Sequence, residues 1–257
     1  MTEADKKEKL YIYGRQPVIE AIRSGHKIFE VWLGKDSQGS AVKTIENLCK
    51  THQIKLNRKE KNELQKWTGS VVHQGVAARL EPVSIIDEKE IDKTLQYIPA
   101  PFILVLDQIQ DPHNLGAILR SAEACGVDLI IMPVKGSAPI NATVVKTSAG
   151  AVFYLRLMMT GNLPGLLEKF QMNGISTIAT LPNRGQQLYE MNFLKGVAVI
   201  IGSEGEGVRK NLWPYCTHRA VIPQKGKVNS LNASVAAGIV LYEVLRQRIS
   251  GKNTDNS

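Results

Sequence analysis

Cysteine, histidine and long apolar runs are scarce in this chain, and their scarcity removes whole classes of chemistry. Three cysteines (Cys49, Cys125 and Cys216) stand alone among 257 residues, an odd number with no CxxC pair. Such a set builds neither a disulfide framework nor a thiolate metal site, and it points to reduced thiols in a cytoplasmic protein. The five histidines are scattered without metal-ligand spacing, so no metal is expected. No apolar run approaches the roughly 20 residues of a membrane span. The opening MTEADKKEKL contains no apolar signal region. GxSxG and HExxH are absent, and nothing in the sequence supports acyl transfer, metal hydrolysis or hydride transfer.

What is present is an ordinary globular composition, 43% hydrophobic and 22% charged, with an uneven distribution of charge. Residues 1–80 hold 15 Lys and Arg against 9 Asp and Glu, a net charge of +6. Residues 81–257 hold 17 against 15, a net charge of +2. A basic front third on a nearly neutral remainder suggests a polyanion-binding module attached to something else, although a lysine-rich solvated surface has the same composition.

The pattern along the chain divides in the same place. Residues 1–9 form a charged, apolar-poor tail expected to be disordered. Residues 10–80 alternate helical and strand-like segments: a helix near 17–24, strand 28–34, a helix near 41–52, a strand around 54–56, a helix near 61–67 and strand 75–80. The acidic stretch 81–100, with a proline near each end, is expected as a linker with one short helix. Residues 101–250 then repeat apolar strands separated by helical segments, which predicts a parallel sheet covered on both faces. The strands are expected at 102–107, 127–132, 153–159, 175–181, 197–202 and 219–223, and 251–257 form a second tail. Gly126 and Gly174 stand where helix C-terminal glycines belong.

Three polar loops follow apolar strands in this second region, and ligands of open α/β sheets sit outside the carboxyl ends of strands. The first is DQIQDPHNLGAILR, in which Asn114 reads as the N-cap of a helix with a core stripe of Leu115, Ile118, Leu119 and Ala122. Arg120 falls off that stripe. The second, Gly202 to Gly207, is glycine-rich but carries Glu204 and Glu206, which would repel a phosphate; it suits a neutral or cationic ligand or ribose hydroxyls. The third carries Asn229, Ser230, Asn232 and Ser234 beside Lys225 and Lys227, ahead of a helix with Val235, Ile239, Tyr242 and Leu245 on one side. Taken singly, each loop also has a plain reading: an N-cap with a solvated arginine, a tight turn with solvated glutamates, and a helix capped by Asn232 with Ser230 and Ser234 beside it. From the residues alone the reading stops at an α/β ligand-binding domain with a basic appendage.

Together the three loops say more. DPHNLGAILRSAEACGVD, IIGSEGEGV and IPQKGKVNSLNASVAAGIVLYEVLRQR, in that order, closely resemble the three motifs of the SpoU (TrmH) family of S-adenosylmethionine-dependent RNA ribose 2′-O-methyltransferases. The resemblance spans about residues 102–248. The front region, from LYIYGRQPVIEAI to VHQGVAARL, looks like the L30e-like RNA-binding domain that precedes the catalytic domain in some members. The fold it implies is a SPOUT-type α/β trefoil-knot catalytic domain behind a smaller L30e-like α/β domain, assembled as a homodimer through the knotted region.

The resemblance also implies roles. Thr180, Leu181, Gly202, Ile222, Gln224, Ser230, Leu231 and Asn232 would hold the cofactor, mostly through backbone groups; many relatives have methionine where Gln224 stands. Asn114, Arg120, Glu204, Ser230 and Asn232 match the polar residues used at or near the reaction centre. The family proposal makes the arginine a general base, but a guanidinium stays protonated, so Arg120 better suits orienting a phosphate or stabilising an oxyanion. The reaction implied is methylation of a ribose 2′-hydroxyl, most simply of a guanosine in 23S rRNA. The same reaction on tRNA, an antibiotic-resistance site in rRNA, and a catalytically silent ribosome-assembly factor are the alternatives. A silent member would be expected to have lost Arg120 or Asn232, and both are present.

Overall fold

A computed structural model describes residues 9–68, 73–205, 207–227 and 230–254. The expectations for residues 1–8, Glu206, Asn229 and residues 255–257 lie outside these described residues. The chain divides into two compact units, Met1–Val83 with Pro139–Tyr154 and Ser84–Ala138 with Leu155–Ser257.

The first unit contains β1 (Leu10–Tyr13), α1 (Arg15–Arg23), β2 (Ile28–Gly34), α2 (Ser40–Thr51), β3 (Leu56–Lys59), α3 (Lys61–Thr68) and β4 (Val76–Leu80). Its sheet has the order β1-β4-β2-β3, with β2 and β3 parallel and the other neighbours antiparallel. The helix expected near 17–24 starts two residues earlier, at Arg15, and buries Pro17, Val18, Ile19, Ala21 and Ile22. Strand β1 had no local signature, because it pairs with β4 from the far end of the unit.

The second unit runs through β5 (Ile85–Ile86), α4 (Ile91–Leu95), β6 (Phe102–Leu106), α5 (Pro112–Ala124) and β7 (Leu129–Pro133). A helix belonging to the first unit follows, α6 (Ala142–Thr147), capped by Asn141, whose carboxamide oxygen accepts from Thr143 N and Val144 N. The chain continues with β8 (Leu157–Thr160), α7 (Leu163–Met172), β9 (Ser176–Leu181), β10 (Gln186–Gln187), β11 (Val197–Ile201), β12 (His218–Val221) and α8 (Ala233–Thr254). These eight strands form one sheet, β10-β12-β9-β11-β6-β7-β8-β5, in which every pair is parallel. Strands β6, β7 and β11 are buried along their whole length, as a parallel sheet covered on both faces requires.

Two segments differ from the contiguous division read from the sequence. The stretch expected as a linker contributes an edge strand, since Ile85–Ile86 pairs with Leu157–Met158. Residues Pro139–Tyr154 cluster with the front unit: the Tyr154 hydroxyl donates to Glu20 at 2.7 Å, Phe153 packs on His26, and Lys146 lies over the Tyr13 ring. The strand expected from 153 begins at Leu157, after a 3₁₀ turn over Ala151–Tyr154. Among the described residues, no helix is long and apolar enough to cross a membrane.

Candidate active site

Strand order creates the crevice. From β6 the chain crosses through α5 to β7 on one side, while from β11 it continues to β12 on the other. The loops leaving the carboxyl ends of β6 and β11 therefore diverge, and such a switch point is where α/β sheets bind ligands. The two strand ends stay joined by a hydrogen bond from Asp107 N to Ile201 O at 2.8 Å.

The loop after β6 turns through Gln108 in left-handed backbone (φ 62°) and enters α5 at Asp111. Asp111, not Asn114, is the N-cap: its carboxylate accepts from His113 N at 3.0 Å, and Pro112 occupies the first helical position, where no amide hydrogen is needed. This corrects the sequence reading and frees the Asn114 side chain. The helix ends in a Schellman turn, with Gly126 at φ 70° and hydrogen bonds from Gly126 N to Glu123 O and from Val127 N to Ala122 O.

The freed carboxamide joins all three loops. Asn114 Nδ2 donates to Glu204 Oε1 at 3.1 Å, and Asn232 Nδ2 donates to Asn114 Oδ1 at 2.9 Å and to Glu204 Oε1. Ala233 N approaches the same Glu204 oxygen at 3.4 Å. Asn232 has a second task. Its Oδ1 accepts from Ser234 N, Ser234 Oγ and Val235 N, which caps α8. One end of the Asn232 carboxamide thus caps α8 and the other joins the polar cluster.

Arg120 is not brought into this cluster. Six helical residues beyond Asn114, it lies about 9 Å along α5 and about 120° around it. It is exposed and makes no hydrogen bond or ion pair among the described residues.

Two cavities flank the cluster. One, partly open to solvent, is lined by Thr180, Leu181, Gly202, Ile222, Gln224, Ser230 and Leu231, with Pro182, Ile201, Ser203, Gly205, Gly207, Ala233 and Ala236. It therefore gathers seven of the eight expected cofactor residues; Asn232 stands at its edge in the polar cluster. The Thr180 hydroxyl is already engaged, donating to Ile200 O at 2.8 Å. The second cavity is lined by Gln108, Ile109, Gln110, Asp111 and Asn114 on one side and Glu204 on the other. Ser203 and Ala233 line both.

The sequence reading had left out Ser203, Asp107 and Arg209. Asp107 is fully buried, and Arg209 holds it from just beyond the glycine loop. A carboxylate closing an otherwise apolar strand, FILVLD, was the available signal for Asp107. Arg209 carried none.

Residues 101–242 match the SpoU rRNA Methylase family, and residues 11–86 match a family described as RNA 2'-O ribose methyltransferase substrate binding. The chain is similar to the 23S rRNA (guanosine-2'-O-)-methyltransferase RlmB of Pseudomonas aeruginosa, at 35% identity over 92% of this chain and 96% of that protein. Among solved structures it is similar to an RNA 2'-O ribose methyltransferase, with a TM-score of 0.78 and 26% identity over 95% of this chain and 91% of that one. The SpoU methyltransferase AviRb from Streptomyces viridochromogenes, solved in complex with AdoMet, shares the fold, with a TM-score of 0.79 at 23% identity over 97% of this chain and 95% of that one.

Proposed function

Because this chain belongs to the SpoU rRNA Methylase family, we propose that it transfers a methyl group from S-adenosylmethionine to a ribose 2′-hydroxyl of RNA, at a guanosine of 23S rRNA. The observation that carries the reading is the pair of cavities sharing Ser203 and Ala233, with the Asn114–Glu204–Asn232 cluster beside them.

The lining of the first cavity suits a nucleoside cofactor. Its floor is bare backbone: a Cβ added at Gly202 would lie 2.0 Å from the carbonyl carbon of Gly207. Leu181, Ile222 and Leu231 supply apolar walls for a flat adenine, with backbone amides and carbonyls left for its edge. When bound there, S-adenosylmethionine supplies a methyl on a sulfonium, which becomes a neutral thioether once the methyl leaves.

The protein's part is alignment and management of the proton. A ribose hydroxyl is a poor nucleophile at neutral pH, so it must be held in line and relieved of its proton as the oxygen–carbon bond forms. Glu204 commits Oε1 to Asn114 and Asn232, while Oε2 makes no hydrogen bond among the described residues and is the proton acceptor in this reading. Asn114 and Asn232 fix the direction in which that oxygen points. Ser230, at the cofactor wall, contributes a hydroxyl near the transfer path. Arg120, outside the cluster and permanently protonated, acts on an RNA phosphate or a developing oxygen charge rather than as a base.

The finer expectations belong to the same proposal. A homodimer is supported by the apolar outer face of α8, where Val235, Ile239 and Tyr242 are exposed. A trefoil knot is supported by the family match over residues 101–242. The domain boundaries proposed, an RNA-binding region at 10–80 and a catalytic region at 101–250, are supported by family matches at 11–86 and 101–242. A cytoplasmic location accords with the rRNA substrate and with thiols that need no oxidising compartment.

The test is incubation with methyl-labelled S-adenosylmethionine and, separately, unmodified 23S rRNA and tRNA, followed by mapping of the modified ribose. Label at one 23S guanosine supports the reading. Label only in tRNA overturns the substrate, and tight RNA binding without any label overturns the enzyme.

A further inference from the structure

The first unit has a polar cavity of its own, lined mainly by Arg15, Lys35, Asp36, Ser37, Lys61 and His73. Its volume is about 410 Å³, widely open to solvent, and Leu64 is its one apolar side wall.

The backbone around it is unusually constrained. Gln74 and Gly75 are both left-handed, at φ 53° and 72°, and this turn directs the Gln74 side chain back onto α1. Gln74 Oε1 accepts from Arg15 N at 3.2 Å, and its carbonyl accepts from Arg15 Nε at 3.3 Å. Gly75 is obligatory here, since a Cβ would lie 2.0 Å from Ser37 Oγ, which donates to Gly75 O at 3.0 Å. A left-handed non-glycine residue is a strained feature, and such strain concentrates at ligand sites.

Several donors around the cavity are left without acceptors among the described residues. Arg15 spends Nε on Gln74 O, and its terminal nitrogens make no hydrogen bond among the described residues. Lys61 is exposed and makes none there either, while Lys35 pairs with Glu60 at 2.6 Å. His73 is 7% exposed, and its Nδ1 accepts from Gly75 N at 3.1 Å, so the hydrogen sits on Nε2, which finds no acceptor among the described residues. Burial, with the Lys61 charge second, lowers the His73 pKa and keeps that neutral tautomer. With Lys35 met by Glu60, two cations, Arg15 and Lys61, and the His73 donor face the one carboxylate that lines the cavity, Asp36.

A concave, cationic, hydrogen-bonding cavity of this size suits one unstacked nucleotide. It does not suit duplex RNA, which presents its phosphates on a convex surface. We propose that this cavity holds a single extruded nucleotide of a single-stranded RNA segment, its phosphate between Arg15 and Lys61 and its base edge toward Asp36 and His73. The proposal rests on the reading of this chain as an RNA methyltransferase, and it gives the front unit a local contact that duplex shape recognition would not need.

The test uses the full chain and fluorescence anisotropy with a labelled 12-nucleotide single-stranded RNA and its duplex. Lys61→Ala alters an exposed side chain, and Lys43→Ala on α2, outside the cavity, is the control. The expected result is roughly three- to tenfold weaker single-strand binding for Lys61→Ala and a salt slope shallower by about 0.7. The control and the duplex affinity should stay unchanged. Wild-type affinity and slope in Lys61→Ala overturn the proposal, as does an equal loss for duplex. Methyl transfer by the wild-type protein is measured alongside. Its absence with Lys61-dependent binding intact counts against the enzyme and supports the cavity; its presence with Lys61-independent binding counts against the cavity alone.

Discussion

Arg209 grips the buried carboxylate of Asp107 through both its side chain and its backbone. Nε donates to Oδ1 at 2.8 Å, a terminal guanidinium nitrogen lies 2.7 Å from the same oxygen, and the Arg209 amide donates to Oδ2 at 3.0 Å. Asp107 ends β6 and begins the loop toward Asn114, whereas Arg209 follows the glycine loop that carries Glu204. One ion pair therefore sets the separation of the two loops that must bring Asn114 and Glu204 to 3.1 Å.

Removing Arg209 leaves that carboxylate buried with only an amide donor. A buried pair broken on one side typically costs about 3–5 kcal/mol; the outer part of Arg209 is open to water, so Arg209→Ala should cost about 2–4 kcal/mol. Urea unfolding read through Trp213, whose indole donates to Val208 O next door, measures it. An unchanged midpoint would mean that the pair contributes nothing to holding the loops.

Asn232 offers a separation of roles. Asn232→Asp retains an oxygen for the Ser234 and Val235 amides and so keeps the cap of α8. It loses the Nδ2 donor and sets a second carboxylate against Glu204. Stability should change little while methyl transfer falls about 100-fold or more, the scale expected when a positioned proton acceptor is disturbed. Asn232→Ala should in addition lose about 1 kcal/mol of stability with the cap. Equal activity of Asn232→Asp and wild type would remove the cluster from the chemistry.

The strands of the second unit were legible because runs such as Phe102–Leu106 and Val197–Ile201 are continuously apolar and too short for a buried helix. The first cap was misplaced at Asn114, although Asp111-Pro112 already carried the signature of a cap followed by proline. The buried face of α8 was hidden for a different reason. Val235, Ile239 and Tyr242 form one apolar stripe, yet Ala237, Val240, Leu241 and Val244 form another, and it is the second that packs inward. Periodicity finds a stripe but cannot choose between two. The Asp107–Arg209 pair and the return of Pro139–Tyr154 to the first unit were illegible because they join residues far apart in sequence through tertiary packing alone.

Two glycines of one loop should respond differently to alanine. At Gly202 the added methyl meets the Gly207 backbone at 2.0 Å, so the turn that folds back at Ser203 and Gly207 must open. Gly202→Ala should destabilise the unit by at least about 1–3 kcal/mol and abolish binding of S-adenosylmethionine. Gly205 has φ 84° with nothing within 4 Å of an added Cβ, so Gly205→Ala carries only backbone strain, about 1 kcal/mol, and should still bind. Titration calorimetry with S-adenosylmethionine distinguishes them, and equal affinities would refute the assignment of this cavity to the cofactor.

The exposed stripe on α8 makes the last prediction. Val235 is 50% exposed, Ile239 40% and Tyr242 65%, on a helix whose opposite face is fully packed. A helix apolar on both faces is one that buries both. Beside the stripe, Leu188, Tyr189, Ile222 and Pro223 line a groove with Ile239 and Tyr242, and Ile222 also lines the cavity proposed for the cofactor. A second copy seated on this face would therefore brace one wall of the site. The double substitution Ile239→Glu with Tyr242→Glu places charge in that contact without touching Ala237, Val240 or Val244, so the monomer should still fold. Sedimentation velocity at micromolar concentration should show a dimer for the wild type and a monomer for the variant. Affinity for S-adenosylmethionine should weaken in the variant, because the Ile222 wall loses its support. A wild-type protein that sediments as a monomer would overturn the dimer, whereas a monomeric variant with full cofactor affinity would keep the dimer and refute its part in shaping the site.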